Sequence, residues 1–185
     1  MCQFLSGLVT IEKHPKVLCL DLTSHDATLA ILKLKPETYR EFEWTREDTG
    51  DSLDIRVMPG EDRNEFKSAI LAKFPRRIDC INDCIRQMAE SGRNLNYDLH
   101  SLTSAEGLKL PDSIGGWLDL RSLTSAEGLK LPDSIGGGLD LRSLTSAEGL
   151  KLPDSIGGWL YLSSLTSAEG LKLPDSIGGG STSAA

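Results

Sequence analysis

Residues 101–116 read Ser-Leu-Thr-Ser-Ala-Glu-Gly-Leu-Lys-Leu-Pro-Asp-Ser-Ile-Gly-Gly, and the same sixteen residues recur unchanged from Ser122, Ser143 and Ser164, a period of 21. A unit this short cannot bury its own apolar face, so successive copies must stack and share one core. Independent helices or self-contained miniature domains are therefore excluded for this half of the chain. The five residues between copies vary: Trp117–Arg121, Gly138–Arg142 and Trp159–Ser163, with 96–100 as a degenerate precursor.

Those linkers alternate. In the first, Trp117, Asp119 and Arg121 fall on one side and Leu118 and Leu120 on the other, the period of two of a half-buried strand with its leucines inward. A second alternation, Leu108-Lys109-Leu110, predicts a second straight side, with Pro111 and the Gly115-Gly116 pair supplying the bends. Equivalent residues of adjacent coils should stand about 4.8 Å apart, so that each position becomes a ladder. Identical leucines stack well in such a ladder and identical charges badly. The Asp98, Asp119, Asp140 column runs beside His100, Arg121 and Arg142, so opposite signs alternate across the exposed face.

The run Leu-Asp-Leu-Arg-Ser-Leu-Thr-Ser-Ala-Glu-Gly-Leu-Lys-Leu-Pro resembles the irregular leucine-rich repeats of bacteriophage and bacterial proteins and, more distantly, those of bacterial effector proteins. The resemblance covers residues 96–180. It lacks the asparagine that ladders after the strand in the usual leucine-rich pattern; Ser101, Ser122, Ser143 and Ser164 stand near that place. A compact β-solenoid and an open horseshoe both satisfy the repeat. The segments 4–10, 24–26 and 42–45 are similar to the leading domain of small phage-associated proteins with variable repeat tails. This implies a mobile-element accessory protein that binds and inhibits a host defence protein, as anti-CRISPR proteins do.

The first hundred residues hold every cysteine, methionine and phenylalanine, whereas 101–180 hold 14 of the 18 glycines, so two physical regimes share the chain. Residues 3–11 and 17–22 read as a hairpin around 12–16, and Thr23 or Ser24 caps a helix carrying Leu29 and Leu32 on one side. Phe42 and Trp44 pair with Leu53, Ile55 and Val57 in a second hairpin through 47–50. Asp62 opens a helix with the stripe Phe66, Ile70 and Phe74, ended by Pro75. A last helix presents Ile78, Ile81, Ile85 and Met88 before Gly92 stops it. The expected fold class is α+β: a domain over 1–93 in the order ββαββαα, then a leucine-rich-repeat-like β-solenoid of about four coils over 94–180, and a flexible tail over 181–185. The last helix of the domain is expected to cover the leading edge of the solenoid, as an end cap does.

The net charge of −7 repels phosphate backbones, so direct nucleic-acid binding is not expected and a basic protein partner fits better. No apolar run reaches the length of a membrane span and the start lacks the pattern of a signal peptide, which together predict a cytoplasmic protein without membrane contact. Cys80 and Cys84 sit one helical turn apart, but a structural zinc needs four ligands and the histidines are only His14, His25 and His100; core thiols are the better reading, with no metal or cofactor. Ser24-His25-Asp26 reads as a helix start rather than a catalytic group, since a triad is a spatial arrangement. The Gly-Gly pairs lack the Lys-Ser/Thr of a phosphate loop. No catalytic residues and no enzyme activity are expected.

Outward tryptophans carry large desolvation energy and are enriched in binding hot spots. Trp117, Asp119, Arg121, Asp140, Arg142, Trp159 and Tyr161 are therefore the expected partner-binding residues of a non-catalytic protein-interaction module. For the tryptophans the competing expectation is that their indoles lie down across the bare Gly138 position or against neighbouring loops. The alternative function is self-assembly into homo-oligomers through the C-terminal edge, where Gly178-Gly179-Gly180 is followed by Ser-Thr-Ser-Ala-Ala and no polar capping helix.

Overall fold

The structure, a computed structural model, describes residues 4–12, 16–22, 24–47, 50–57 and 59–183. The turns expected within 13–15 and 48–49, and Thr23 as a helix cap, lie outside the described residues. The chain divides into two compact units, Met1–Ser91 and Gly92–Ala185.

The first unit is α+β. Strands β1 (Phe4–Thr10), β2 (Val17–Leu18), β3 (Tyr39–Glu47) and β4 (Gly50–Arg56) form an antiparallel sheet in the order β2-β1-β3-β4. Helices α1 (His25–Leu32), α2 (Arg63–Lys73) and α3 (Arg77–Glu90) complete the order ββαββαα, with a single 3-10 turn at Pro36–Thr38 before β3. The alternation read from sequence holds in the second hairpin: Phe42 and Trp44 are buried and lie opposite Ile55 and Leu53, also buried. Ile81, Ile85 and Met88 make the inner stripe of α3, and Gly92 follows it at φ +64°. Helix α1 departs from expectation. Leu32 is 37% exposed and the buried residue of the helix is Thr28, whose hydroxyl accepts the Leu20 N–H at 3.0 Å. With eight residues, the helix makes little more than two turns, and the side it turns inward is the one that satisfies that backbone donor. Gln87 on α3 does similar work for β2: its Oε1 accepts the Cys19 N–H at 3.1 Å and its Nε2 donates to the Val17 carbonyl at 2.8 Å.

The second unit is a β-solenoid of about four coils with two parallel sheets. One sheet is built from the linkers: β5 (Tyr97–Asp98), β7 (Leu118–Asp119), β9 (Leu139–Asp140), β11 (Trp159–Leu162) and β13 (Gly180–Ser183), neighbours in that order. Their register is a shift of 21 residues, Leu118 against Leu139 and Leu139 against Leu160. Residues 181–183, expected in a tail, are paired with β11 instead. The other sheet comprises β6 (Ser113–Ile114), β8 (Ser134–Ile135), β10 (Ser155–Ile156) and β12 (Ser176–Ile177). Between the sheets run unbroken buried columns, among them Leu118, Leu139 and Leu160, Leu120, Leu141 and Leu162, and Ile114, Ile135 and Ile156. Each such side chain contributes roughly 1.5–3 kcal/mol through burial against its neighbours above and below.

The second straight side is not where Leu108-Lys109-Leu110 placed it; it begins after the proline. The Leu108 N–H turns back to the Ala105 carbonyl at 3.0 Å around Gly107, which has φ +76°. Pro111 has no N–H to enter a ladder. Hydrogen bonding between coils resumes at Asp112, whose carbonyl accepts the Asp133 N–H at 2.9 Å. The Gly-Gly pairs serve close approach. A Cβ on Gly136 would lie 2.5 Å from the Gly115 carbonyl oxygen of the preceding coil.

Candidate interaction face

The outward side of the linker sheet carries three columns set by the strand register. The first is Asn96, Trp117, Gly138, Trp159 and Gly180; the second is Asp98, Asp119, Asp140 and Tyr161; the third is His100, Arg121, Arg142 and Ser163. All seven residues expected to bind a partner therefore stand on one face of one sheet.

The charges on this face are paired within each linker, between the last strand residue and the residue two further on. Arg121 Nε donates to both carboxylate oxygens of Asp119, at 2.9 and 2.8 Å, and its Nη2 donates to the second; the Arg121 backbone N–H adds a bond of 3.1 Å. Arg142 repeats the arrangement on Asp140, with Nε bonds of 2.9 and 3.0 Å. His100 Nδ1 meets Asp98 in the same way. Burial alone would push the Asp119 carboxyl up, but hydrogen bonds from the Arg121 side chain and backbone, with the charges of Arg121 and His100, hold it below its usual value. The same hydrogen bond raises the pKa of Arg121, and Asp140 does so for Arg142.

Asp140 is a correction to the expected binding set. It is only 3% exposed, and its carboxylate is engaged by Arg142 rather than presented on the surface. The aromatic side chains account for this. Trp117 and Tyr161 stack with centroids 6.2 Å apart and planes 27° from parallel, and the Arg142 guanidinium lies 5.5 Å over the Tyr161 ring. These rings span the coil that contributes Asp140.

The two tryptophans lie down, each across the coil that follows it. A Cβ on Gly138 would sit 2.5 Å from Trp117 Cζ3, and one on Gly180 would sit 3.2 Å from Trp159 Cζ3. Glycine in every second coil thus gives each indole a bare floor. The outcome differs between the two: Trp117 is half-buried beside Tyr161, whereas Trp159 remains 46% exposed. Sequence reasoning identified Gly138 as a gap but missed Gly180, because the strand that this glycine opens continues through 181–183, which were read as a tail.

Elsewhere, Ser24 caps α1 by accepting the Ala27 N–H at 3.2 Å, and His25 Nε2 stands 3.4 Å from both Asp26 and Glu41 carboxylate oxygens. Cys80 and Cys84 are buried, and Cys19 joins them from the segment after β2, a convergence without a signal in their spacing. Burial pushes the Cys84 thiol well up, with hydrogen bonds to Cys19 and Cys80 adding to it, which keeps it protonated and inert. Among the described residues no group of three histidine, cysteine or acidic side chains is arranged to hold a metal ion, and no helix is long and apolar enough to cross a membrane. No protein-family model, curated protein or solved structure matches this chain.

Proposed function

We propose that the chain is a non-catalytic protein-interaction module and that the outer face of its linker sheet is the binding surface. The observation that carries this reading is Trp159, a large aromatic side chain 46% exposed on a flat glycine floor, beside paired aspartates and arginines held in register. An exposed indole desolvated by a partner, with ordered hydrogen-bonding groups around it, has the makings of a binding hot spot. The net charge of −7 favours a basic partner. The resemblance to phage repeat proteins makes a host defence protein the first cytoplasmic partner to try. The test is affinity capture from an extract of the source organism by the full chain and by Trp159→Ala combined with Trp117→Ala. Loss of the retained protein in the double variant supports the face; unchanged capture, with loss only in variants of the first unit, overturns it.

A second reading, self-association, is favoured by the last described coil. Leu173 there is 59% exposed, and Ala168 is exposed where Ala105, Ala126 and Ala147 are buried. Light scattering decides it: growth in mass with concentration, abolished by Leu173→Glu, supports assembly, and a constant monomer mass overturns it.

A further inference from the structure

The spacing of the two indoles points to the form of the partner. Trp117 and Trp159 stand two coils apart in one column and lean the same way along it, each onto a glycine of the following coil. Two coil spacings are about 9.6 Å. An extended β-strand repeats its side chains on one face every two residues, about 6.8 Å, and falls out of step with this pair. A polyproline II helix repeats every three residues at 3.1 Å each, about 9.3 Å, and stays in step. Proline rings on one face of such a helix would meet both indoles in succession.

The polar groups beside the aromatic strip suit the same ligand. A polyproline II backbone makes no internal hydrogen bonds, so its carbonyls need donors from the receptor. Arg121 and Arg142 engage their aspartates through Nε and Nη2, and Nη1 of each has no hydrogen-bond partner among the described residues. Those two donors repeat with the coils, and the Arg142 guanidinium lies over the Tyr161 ring of the Trp117–Tyr161 stack. Because the arginine charges are already neutralised, they favour a carbonyl over a phosphate, and the acidic chain favours basic residues between the prolines. Aromatic-lined surfaces recognise proline-rich segments because little conformational entropy remains to be lost.

We infer that the linker-sheet face binds a proline-rich, basic segment of a protein partner in the polyproline II conformation, with prolines three residues apart stacked on Trp117 and Trp159. This rests on the proposed protein-binding role of the same face and names the partner's chemistry. The experiment is calorimetric titration of the full chain with a peptide of Pro-Ala-Arg repeats spanning roughly four turns of polyproline II. The comparison peptide has the same composition with its prolines gathered at one end. The repeat peptide is expected to bind at least about tenfold more tightly, and Trp159→Ala to weaken it about 30-fold, with Trp159→Phe intermediate and both variants retaining the circular dichroism of the parent. Equal binding of the two peptides, or no effect of Trp159→Ala, overturns the inference, as does binding of cellohexaose, a linear glycan that also stacks on indoles, in place of either peptide. If neither peptide binds while Trp159→Ala still abolishes capture of the native partner, this inference alone fails. If capture is also unaffected, the proposed function fails with it.

Discussion

Two classes of glycine recur in every coil, and substituting one of each separates coil stacking from local turn geometry. Gly149 has φ +73° and nothing within 4 Å of where a Cβ would lie. Alanine there costs about 1–2 kcal/mol for the left-handed conformation, offset by roughly 0.4–1 kcal/mol through the stiffer unfolded chain, leaving about 1 kcal/mol. Gly136 has no such backbone requirement, but its Cβ would meet the Gly115 carbonyl oxygen at 2.5 Å, where an ordinary carbon–oxygen contact needs about 3.3 Å. The coils must part by roughly 0.8 Å at that corner, which costs about 1–3 kcal/mol as overpacking and weakens one or two ladder bonds worth about 1 kcal/mol each. Those bonds run from Gly136 N–H to Ile114 and from Gly137 N–H to Gly116, at 2.7 and 2.9 Å. The sum is about 3 kcal/mol, three times the effect at Gly149. Thermal unfolding followed by near-ultraviolet circular dichroism should show Gly149→Ala lowering the midpoint by about 4–8 °C and Gly136→Ala by about 12–24 °C. Equal shifts, or a larger one at Gly149, would refute the claim that the coils are in backbone contact at the glycine pairs.

Arg142→Ala should destabilise by about 3 kcal/mol in urea unfolding, because it strands the nearly inaccessible Asp140 carboxylate; Arg121→Ala, beside the more accessible Asp119, should cost nearer 1 kcal/mol. Trp117→Ala should lower the midpoint of thermal unfolding more than Trp159→Ala, since Trp117 also stacks on Tyr161 and helps to close off Asp140. The Asp119 carboxyl is held below its unfolded value, so its contribution is fully present above about pH 4 and is lost as the pH falls through the lowered folded value. Urea midpoints measured from pH 6 down to pH 2 should therefore fall less in Asp119→Asn than in the parent chain.

The architecture of the second unit was legible because repetition makes stacking obligatory and alternation in Trp117–Arg121 identifies the face. The position of the second sheet was not, since Ser113–Ile114 is too short to alternate and Leu108-Lys109-Leu110 imitates a strand while serving as a turn with Leu108 inward. On the face itself, the pairing of Asp119 with Arg121 follows from their standing two apart in one linker. What spacing could not convey was the lean of the indoles. That depends on which glycine lies one coil further on, and through Tyr161 it decides that Asp140 is buried while its counterpart Asp119 is not. In the first unit the Asp62 cap of α2, the inner stripe of α3 and its Gly92 stop were readable, whereas the convergence of Cys19 with Cys80 and Cys84 depends on how α3 docks on β2.

Successive coils share leucine columns and are held in register by hydrogen bonds across a shift of 21 residues. Amide hydrogen exchange at Leu118, Leu120 and Leu141, whose N–H groups donate to Gly138, Asp140 and Tyr161 of the next coil, tests it most directly. Strong protection is expected at all three, lost together when Leu139→Ala opens a cavity costing about 2–5 kcal/mol between the coils. Exchange at unprotected rates in the parent chain, or loss confined to the substituted coil, would contradict it.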